Sequence, residues 1–371
     1  MYNQLVLKLI ILLGVNGVSR KTALYKQIGQ HIREKIASGK LRPADRIPSE
    51  QELMDEYKVS KITVKNALSE LADEGLVIRI QGKGTFVSAE LEMAGALSAP
   101  EPAKDAVPLI GFIIPTMKTS VIRKLVDYTE LYSKEAGFRM ILSITRESAA
   151  EESLSIRDLA DAGVKGLIVF PTEDEKYNES LLRLSLDKFP FVFIDRYLRN
   201  IETYSITSDN HGGAYDTVSY LLSKEHRHIA LISPENANTA VQDRTTGFEK
   251  AYIDQEISID KSLWCHVPLD ILRSDKAQEH ITEFLQAHGS ITAAFTLTEE
   301  IAQLTSRALA RIGRKSEVEL FSFDDPDIPG VSYVQQDEQE VARTAVSLLC
   351  DQIMHSYAPQ NVVVPVKLVF K

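Results

Sequence analysis

The 371-residue chain is poor in cysteine, holding only Cys265 and Cys350. Neither sits in a C-x-x-C pair or beside a histidine cluster, which excludes a disulfide framework and a cysteine-based zinc site. Two unpaired thiols suit the reducing cytoplasm. His211, His226 and His228 match no metal spacing and read as loop or surface residues. The apolar run Leu5–Val15 is interrupted by Lys8 and falls short of the roughly 20 residues that a spanning helix needs. There is no glycine-rich phosphate loop, no lysine in a Schiff-base context and no nucleophile paired with a base, which argues against an enzyme and against a cofactor.

What is present begins at residue 24. Leu24, Ile28, Ile32 and Ile36 recur every fourth residue, so the spacing predicts a helix with one apolar face. Gly39 can end it, and Pro43 forbids its continuation. Ser49 and Glu52 form a capping-box pattern that opens a second helix, in which Leu53 and Tyr57 face inward. Ser60 can cap a third, with Val64, Leu68 and Leu71 as its buried stripe, and Gly75 ends it. Val77–Ile80 and Thr85–Val87 read as two strands around Gln81-Gly82-Lys83-Gly84. Three helices followed by a hairpin predict a winged helix-turn-helix over residues 21–88.

This stretch resembles the DNA-binding domain of the GntR family. The likeness runs through KLRPADRIPSEQEL, VSKITVKNALSELADEGLV and the wing QGKGTFV. It implies that the third helix enters the major groove while the wing follows the adjacent backbone or minor groove. The contacting positions it implies are Gln51, Lys61, Thr63, Lys65, Gln81, Gly82 and Lys83. The family often has arginine at three of these, where this chain has Gln51, Lys61 and Lys65. Lysine lacks the guanidinium fork, which weakens two-pronged guanine reading. Outside such a motif, Lys61 and Lys65 would pass for solvated helix charges.

Charge follows the same division. Residues 21–88 hold 12 Lys and Arg against 9 Asp and Glu, a net of +3; residues 89–371 hold 28 against 43, a net of −15. A basic head on an acidic body suits DNA contact by the head alone, with the body staying clear of phosphate. An export signal on a DNA-binding head makes no sense, so residues 1–20 read as an N-terminal extension or added helix.

Residues 89–107, rich in Ala, Pro and Glu, read as a linker. From Pro108 onward, short apolar runs such as Leu109–Ile114, Leu167–Phe170, Phe191–Ile194, Ile229–Ile232, Ala293–Thr296 and Glu319–Phe323 alternate with helical stretches. That alternation predicts an α/β body with doubly wound parallel sheets in two lobes. Ligands of such sheets sit beyond the carboxyl ends of the strands. Pro115–Thr119, Pro171–Thr172, Asp195-Arg196, Thr296–Glu299 and Asp324-Asp325 fall there.

Residues 108–356 resemble the effector domain of LacI/GalR-type repressors, which is periplasmic-binding-protein-like. Seven pieces carry the likeness in order: PLIGFIIP, GVKGLIVFP, FPFVFIDRYL, TSDNHGGAYDTVSYLLSKEHRHIALIS, RTTGFEKAY, FSFDD and VQQDEQEVARTAVSLL. With a GntR-like head, the layout is similar to the arabinose-repressor subgroup. The resemblance implies an effector site at Arg196, Arg244, Asp324 and Gln336, with Asp195 either orienting Arg196 or reaching the ligand. Thr298 and Glu299 stand where the family often has Asn-Asp. Lys118 stands where it often has aromatic groups; with a helix opening near Ser120, it leaves a neutral and an anionic ligand both open.

The resulting expectation is a ligand-responsive regulator, a repressor released from a palindromic operator by a carbohydrate-like effector. It would act as a homodimer with no membrane attachment. The alternative is a solute-binding protein for transport. The expected division is 21–88 for the head and 108–371 for the effector-binding and dimerisation body. Lobe one would take about 108–207 and 334–356, and lobe two about 208–333 and 357–371.

Overall fold

The computed structural model describes residues 24–42, 44–80, 83–88, 107–172, 178–199, 201–235, 238–355 and 358–371. The extension 1–20, nearly all of the linker, and Gln81 and Gly82 of the wing lie outside them.

The head consists of α1 (Leu24–Ala37), α2 (Glu50–Tyr57), α3 (Lys61–Asp73) and a hairpin of β1 (Val77–Ile80) with β2 (Gly84–Val87). Ser49 and Glu52 close the expected capping box on α2, and Ser60 caps α3. Gly75 takes φ +71°, the left-handed turn that stops α3. Ile28, Ile32, Leu53, Val64, Leu68 and Leu71 meet in one core. Deleting any of these large side chains should cost about 2–5 kcal/mol.

The body has two six-stranded sheets. The first contains β3 (Leu109–Ile114), β4 (Arg139–Ile144), β5 (Leu167–Val169), β6 (Phe191–Ile194), β7 (Ser205–Ser208) and, much later in the chain, β13 (Asn361–Val364). Its order is β13-β7-β6-β5-β3-β4, all parallel. Helices α4 (Ser120–Glu135), α5 (Ala149–Asp161) and α6 (Glu179–Leu186) follow its strands, and α12 (Glu338–Met354) returns to cover it. Leu125 of α4 and Leu349 of α12 seal one face, while Leu159 of α5 and Leu184 of α6 seal the other.

The second sheet is built from β8 (Ile229–Pro234), β9 (Trp264–Val267), β10 (Ala293–Thr296), β11 (Glu319–Phe323), β12 (Ser332–Gln335) and β14 (Lys367–Val369), in the order β14-β12-β11-β10-β8-β9. Only β14 runs antiparallel. Helices α7 (Asn210–Ser223) and α8 (Thr239–Asp254) cover one face; α10 (Ala277–Ala287) and α11 (Glu299–Arg311) cover the other, and α9 (Leu269–Leu272) lies at its edge. Sheets buried on both faces explain the unbroken apolar runs in the sequence.

The chain crosses between lobes after β7, after β12 and after β13. The segment 357–371, expected whole in lobe two, is therefore divided: β13 pairs with β7 in the first sheet, and β14 pairs with β12 in the second. Parallel pairing with β7 gives the outermost first-sheet strand its backbone partners. No helix of the described residues is long and apolar enough to cross a membrane.

Candidate functional site

A cavity of about 140 Å³ lies between the lobes. Its walls come from residues that follow the strands of both sheets. Four of the residues flanking it take left-handed backbone: Arg146 (φ 53°), Glu147 (φ 59°), Asp195 (φ 68°) and Asp324 (φ 74°). Non-glycine residues rarely hold that conformation, and such strain gathers where the fold must aim a side chain.

Arg244 of α8 is buried and bonded on several sides. Its Nε donates to Asn210 Oδ1 (2.8 Å), and its Nη1 donates to the Leu297 carbonyl (2.6 Å). Asp324 Oδ2 stands 3.7 Å from the same Nη1. The guanidinium lies over the Phe323 ring, 3.6 Å from its centroid. Nη2 makes no hydrogen bond among the described residues, so it is available to a ligand.

Gln336 joins the lobes at the β12–α12 crossing. Its Nε2 donates to Asp324 Oδ1 (2.6 Å), while its Oε1 accepts from Ser208 at the end of β7. Arg196 Nη1 donates to the Pro171 carbonyl (2.7 Å) and lies 3.7 Å from Glu147 Oε2. Its guanidinium sits 5.0 Å from the Phe170 ring centroid. Each lobe thus presents one arginine backed by an aromatic face.

Burial dominates the titration of this cluster. It pushes Asp324 up to about 6, with Arg244 and then the Gln336 hydrogen bond opposing. It also raises Asp195, against Arg244 and Arg196, and pulls Arg244 down against Asp324 and Asp195. An arginine starting so high stays charged.

Arg196, Asp195, Arg244, Asp324, Gln336, Thr298 and Glu299 all line this one cavity. Thr298 caps α11 through Ile301 N. Glu299 Oε2 reaches across the cleft and accepts from Ser120 N (2.9 Å) and Ser120 Oγ (2.8 Å). The first N–H of α4 is therefore already satisfied by a carboxylate, which favours the neutral of the two ligand types left open by the sequence. Lys118 lies in an adjoining cavity of about 590 Å³, with Arg146, Arg273 and Glu300.

Several lining residues escaped the sequence reading: Glu147 beyond β4, Asn238 beyond β8, Phe170 and Glu300. The strand-end rule that picked out Asp195 and Asp324 would have found Glu147 and Asn238. Among the described residues no group of three or more His, Cys, Asp or Glu side chains could hold a metal ion.

In the head, Lys61, Thr63 and Lys65 occupy the first turns of α3, Gln51 lies on α2 and Lys83 precedes β2. Gln81 and Gly82 lie outside the described residues. Gln51 Nε2 donates to Asp55 Oδ1 (3.2 Å). Lys65 Nζ meets Asp161 Oδ1 of the body at 2.5 Å, and Thr63 is 1% exposed.

A three-helix head with a wing, joined to a two-lobed body enclosing a polar cleft, is the build of a one-component transcriptional regulator. The chain belongs to the periplasmic binding protein domain family, whose model matches residues 110–328, and residues 24–87 match bacterial regulatory proteins of the gntR family. It is 26% identical over 309 residues to an arabinose metabolism transcriptional repressor of Geobacillus stearothermophilus, covering 81% of this chain and 82% of that protein. It is also 26% identical to the ribose import binding protein of Salmonella typhimurium, over 65% of this chain and 79% of that one. Among solved structures, a putative ribose operon repressor from Burkholderia thailandensis shares the fold, with TM-score 0.64 and 21% identity, covering 71% of this chain and all of that one.

Proposed function

We propose that the protein is a cytoplasmic homodimeric repressor, released from a palindromic operator when its cleft closes on a neutral polyhydroxylated ligand. The observation that carries this reading is the buried set Arg244, Asp324 and Gln336 at the lobe junction. A guanidinium donor beside a carboxylate acceptor can satisfy adjacent hydroxyls. A second arginine, Arg196, faces them from the other lobe. Two of the similar proteins are named for pentoses, which puts pentoses first among candidates. The match at residues 24–87 argues against a transport role. Dimerisation follows from the small contact area of one head and from the symmetry of a palindrome. The reading assigns no catalytic residue. A thermal-shift screen of pentoses, hexoses, sugar acids and sugar phosphates tests it. A cognate ligand at 100 times its Kd should add about 2.7 kcal/mol of stability, and should free the protein from DNA. If no polyhydroxylated compound stabilises the protein, the cleft reading falls.

Acidity should matter in a defined direction. Asp324 must be ionised to accept from two hydroxyls, and burial raises its pKa to about 6. The charged form therefore prevails above that value and is lost as pH falls through it. At pH 5 only about one carboxyl in eleven would remain ionised, so ligand affinity should fall about tenfold from its value at pH 7.5. Asp324→Asn should bind weakly at both pH values. Calorimetry giving equal affinity for the parent at both would remove Asp324 from the contact set.

Lys118 tests the ligand's charge. It is exposed, it shares its cavity with Glu300, and Glu299 already occupies the nearby helix end. For a neutral ligand, Lys118→Gln should change affinity by less than about threefold. A loss above about tenfold, 1.4 kcal/mol, would show that the effector is anionic.

A further inference from the structure

We propose that lobe one carries a docking surface for the DNA-reading helix, and that the docked head competes with DNA. The inference rests on the reading that α3 contacts DNA.

The contacts span α3 from end to end. At its N-terminus, Ser60 N (3.1 Å) and Thr63 Oγ1 (3.0 Å) both donate to Asp187 Oδ2, just beyond α6. One turn on, Lys65 Nζ bonds Asp161 Oδ1, the last residue of α5. At the far end, Lys165 Nζ of the body reaches Asp73 Oδ2 at 3.2 Å. Beside the N-terminal contacts, Ile62 packs on the apolar cluster of lobe one. Lys26 Nζ of α1 adds a hydrogen bond to the Ile353 carbonyl (3.1 Å).

The body's groups take the places that phosphates would take. A helix N-terminus favours an anion through its free N–H groups and its dipole. Asp187 fills that position on α3, accepting from the backbone and from Thr63. Asp161 takes Lys65, which a phosphate would otherwise use. A side chain 1% exposed, as Thr63 is, cannot meet a duplex. Docking and DNA binding are therefore mutually exclusive.

The surface is suited to reversible use. Lys65–Asp161 and Lys165–Asp73 are partly exposed pairs, which contribute little each. The Asp187 contact is buried. Such a mixture holds the head without locking it. Helix α5 also has its other end at the cleft: it opens at Ala149, two residues after Glu147, whose carboxylate faces Arg196.

Competition raises the apparent Kd for DNA by one plus the docked-to-free ratio. The test is equilibrium binding of the full chain to a duplex selected from a randomised library. Asp187→Ala should bind that duplex about tenfold more tightly than the parent. Lys165→Glu is the sharper variant. It makes the body two charges more negative, so electrostatics alone should weaken DNA binding. Because it repels Asp73, undocking should tighten binding instead, by about threefold or more. Lys165 is partly exposed at the body surface, so this variant decides the matter even if Asp187→Ala fails to fold. Binding by Lys165→Glu that is no tighter than the parent's overturns the docking surface. If neither the parent nor Lys165→Glu selects a duplex, the DNA reading itself falls, which is a distinct result.

Discussion

Arg244→Ala should weaken ligand binding by about 3 kcal/mol, roughly a hundredfold or more, while DNA affinity without ligand stays within about threefold. Three consequences add in the same direction. The ligand loses a charged donor. Asp324 loses its nearest cation, and a carboxylate already pushed up to about 6 is pushed further toward its neutral form. Asn210 Oδ1 and the Leu297 carbonyl lose their partner in a buried place. The last two also destabilise lobe two, since removing one member of a buried pair costs about 3–5 kcal/mol. Arg244→Lys separates the causes. It keeps the charge beside Asp324 but lacks the fork that serves Asn210, Leu297 and a ligand at once. It should retain most of the stability and still lose about tenfold or more in affinity. Calorimetry and thermal melting on both variants decide. Unchanged ligand affinity in a folded Arg244→Ala would show that the effector does not touch this arginine.

The body was legible in sequence where strands are buried on both faces. Phe191–Ile194 and Ile229–Pro234 are buried throughout, and Phe191–Ile194 and Ile229–Ile232 read as unbroken apolar runs. The edge strand Trp264–Val267 escaped, because Trp264 and His266 reach solvent and break the run. The lobe membership of Asn361–Val364 was beyond any local pattern. It is fixed by pairing with Ser205–Ser208, some 150 residues earlier. In the cleft, resemblance and the strand-end rule together pointed to Arg196, Arg244, Asp324 and Gln336, which the fold gathers around one cavity. Two features of that cleft could not be read from spacing. One is the aromatic face under each arginine, since Phe170 and Phe323 look like ordinary strand residues. The other is Glu299 bonding Ser120 from the opposite lobe. The head–body contact shows a further limit. A net charge of −15 says that the body repels phosphate, but not where it would meet the basic head; the placement of Asp161 and Asp187 sets that contact with Lys65 and Thr63.

Replacing both Lys61 and Lys65 by alanine should lower operator affinity by about a thousandfold near 0.1 M salt and flatten its salt dependence by about 3.5 in logarithmic slope. Both lysines lie in the first turns of α3, the segment that a helix-turn-helix presents to the major groove. A two-fold dimer contributes four of them, and each phosphate contact supplies about 0.9 of slope. The single variants should differ. Lys61 is exposed, whereas Lys65 bonds Asp161. Lys61→Ala loses a phosphate contact and little else. Lys65→Ala loses a phosphate contact and also weakens the docked state that opposes DNA, so its net loss should be about threefold smaller. Binding titrations across a salt series with parent, single and double variants measure every term. A double variant with the parent's affinity and slope would mean that DNA is read by another surface. Equal losses from the two single variants would mean that the Lys65–Asp161 pair has no part in holding the head.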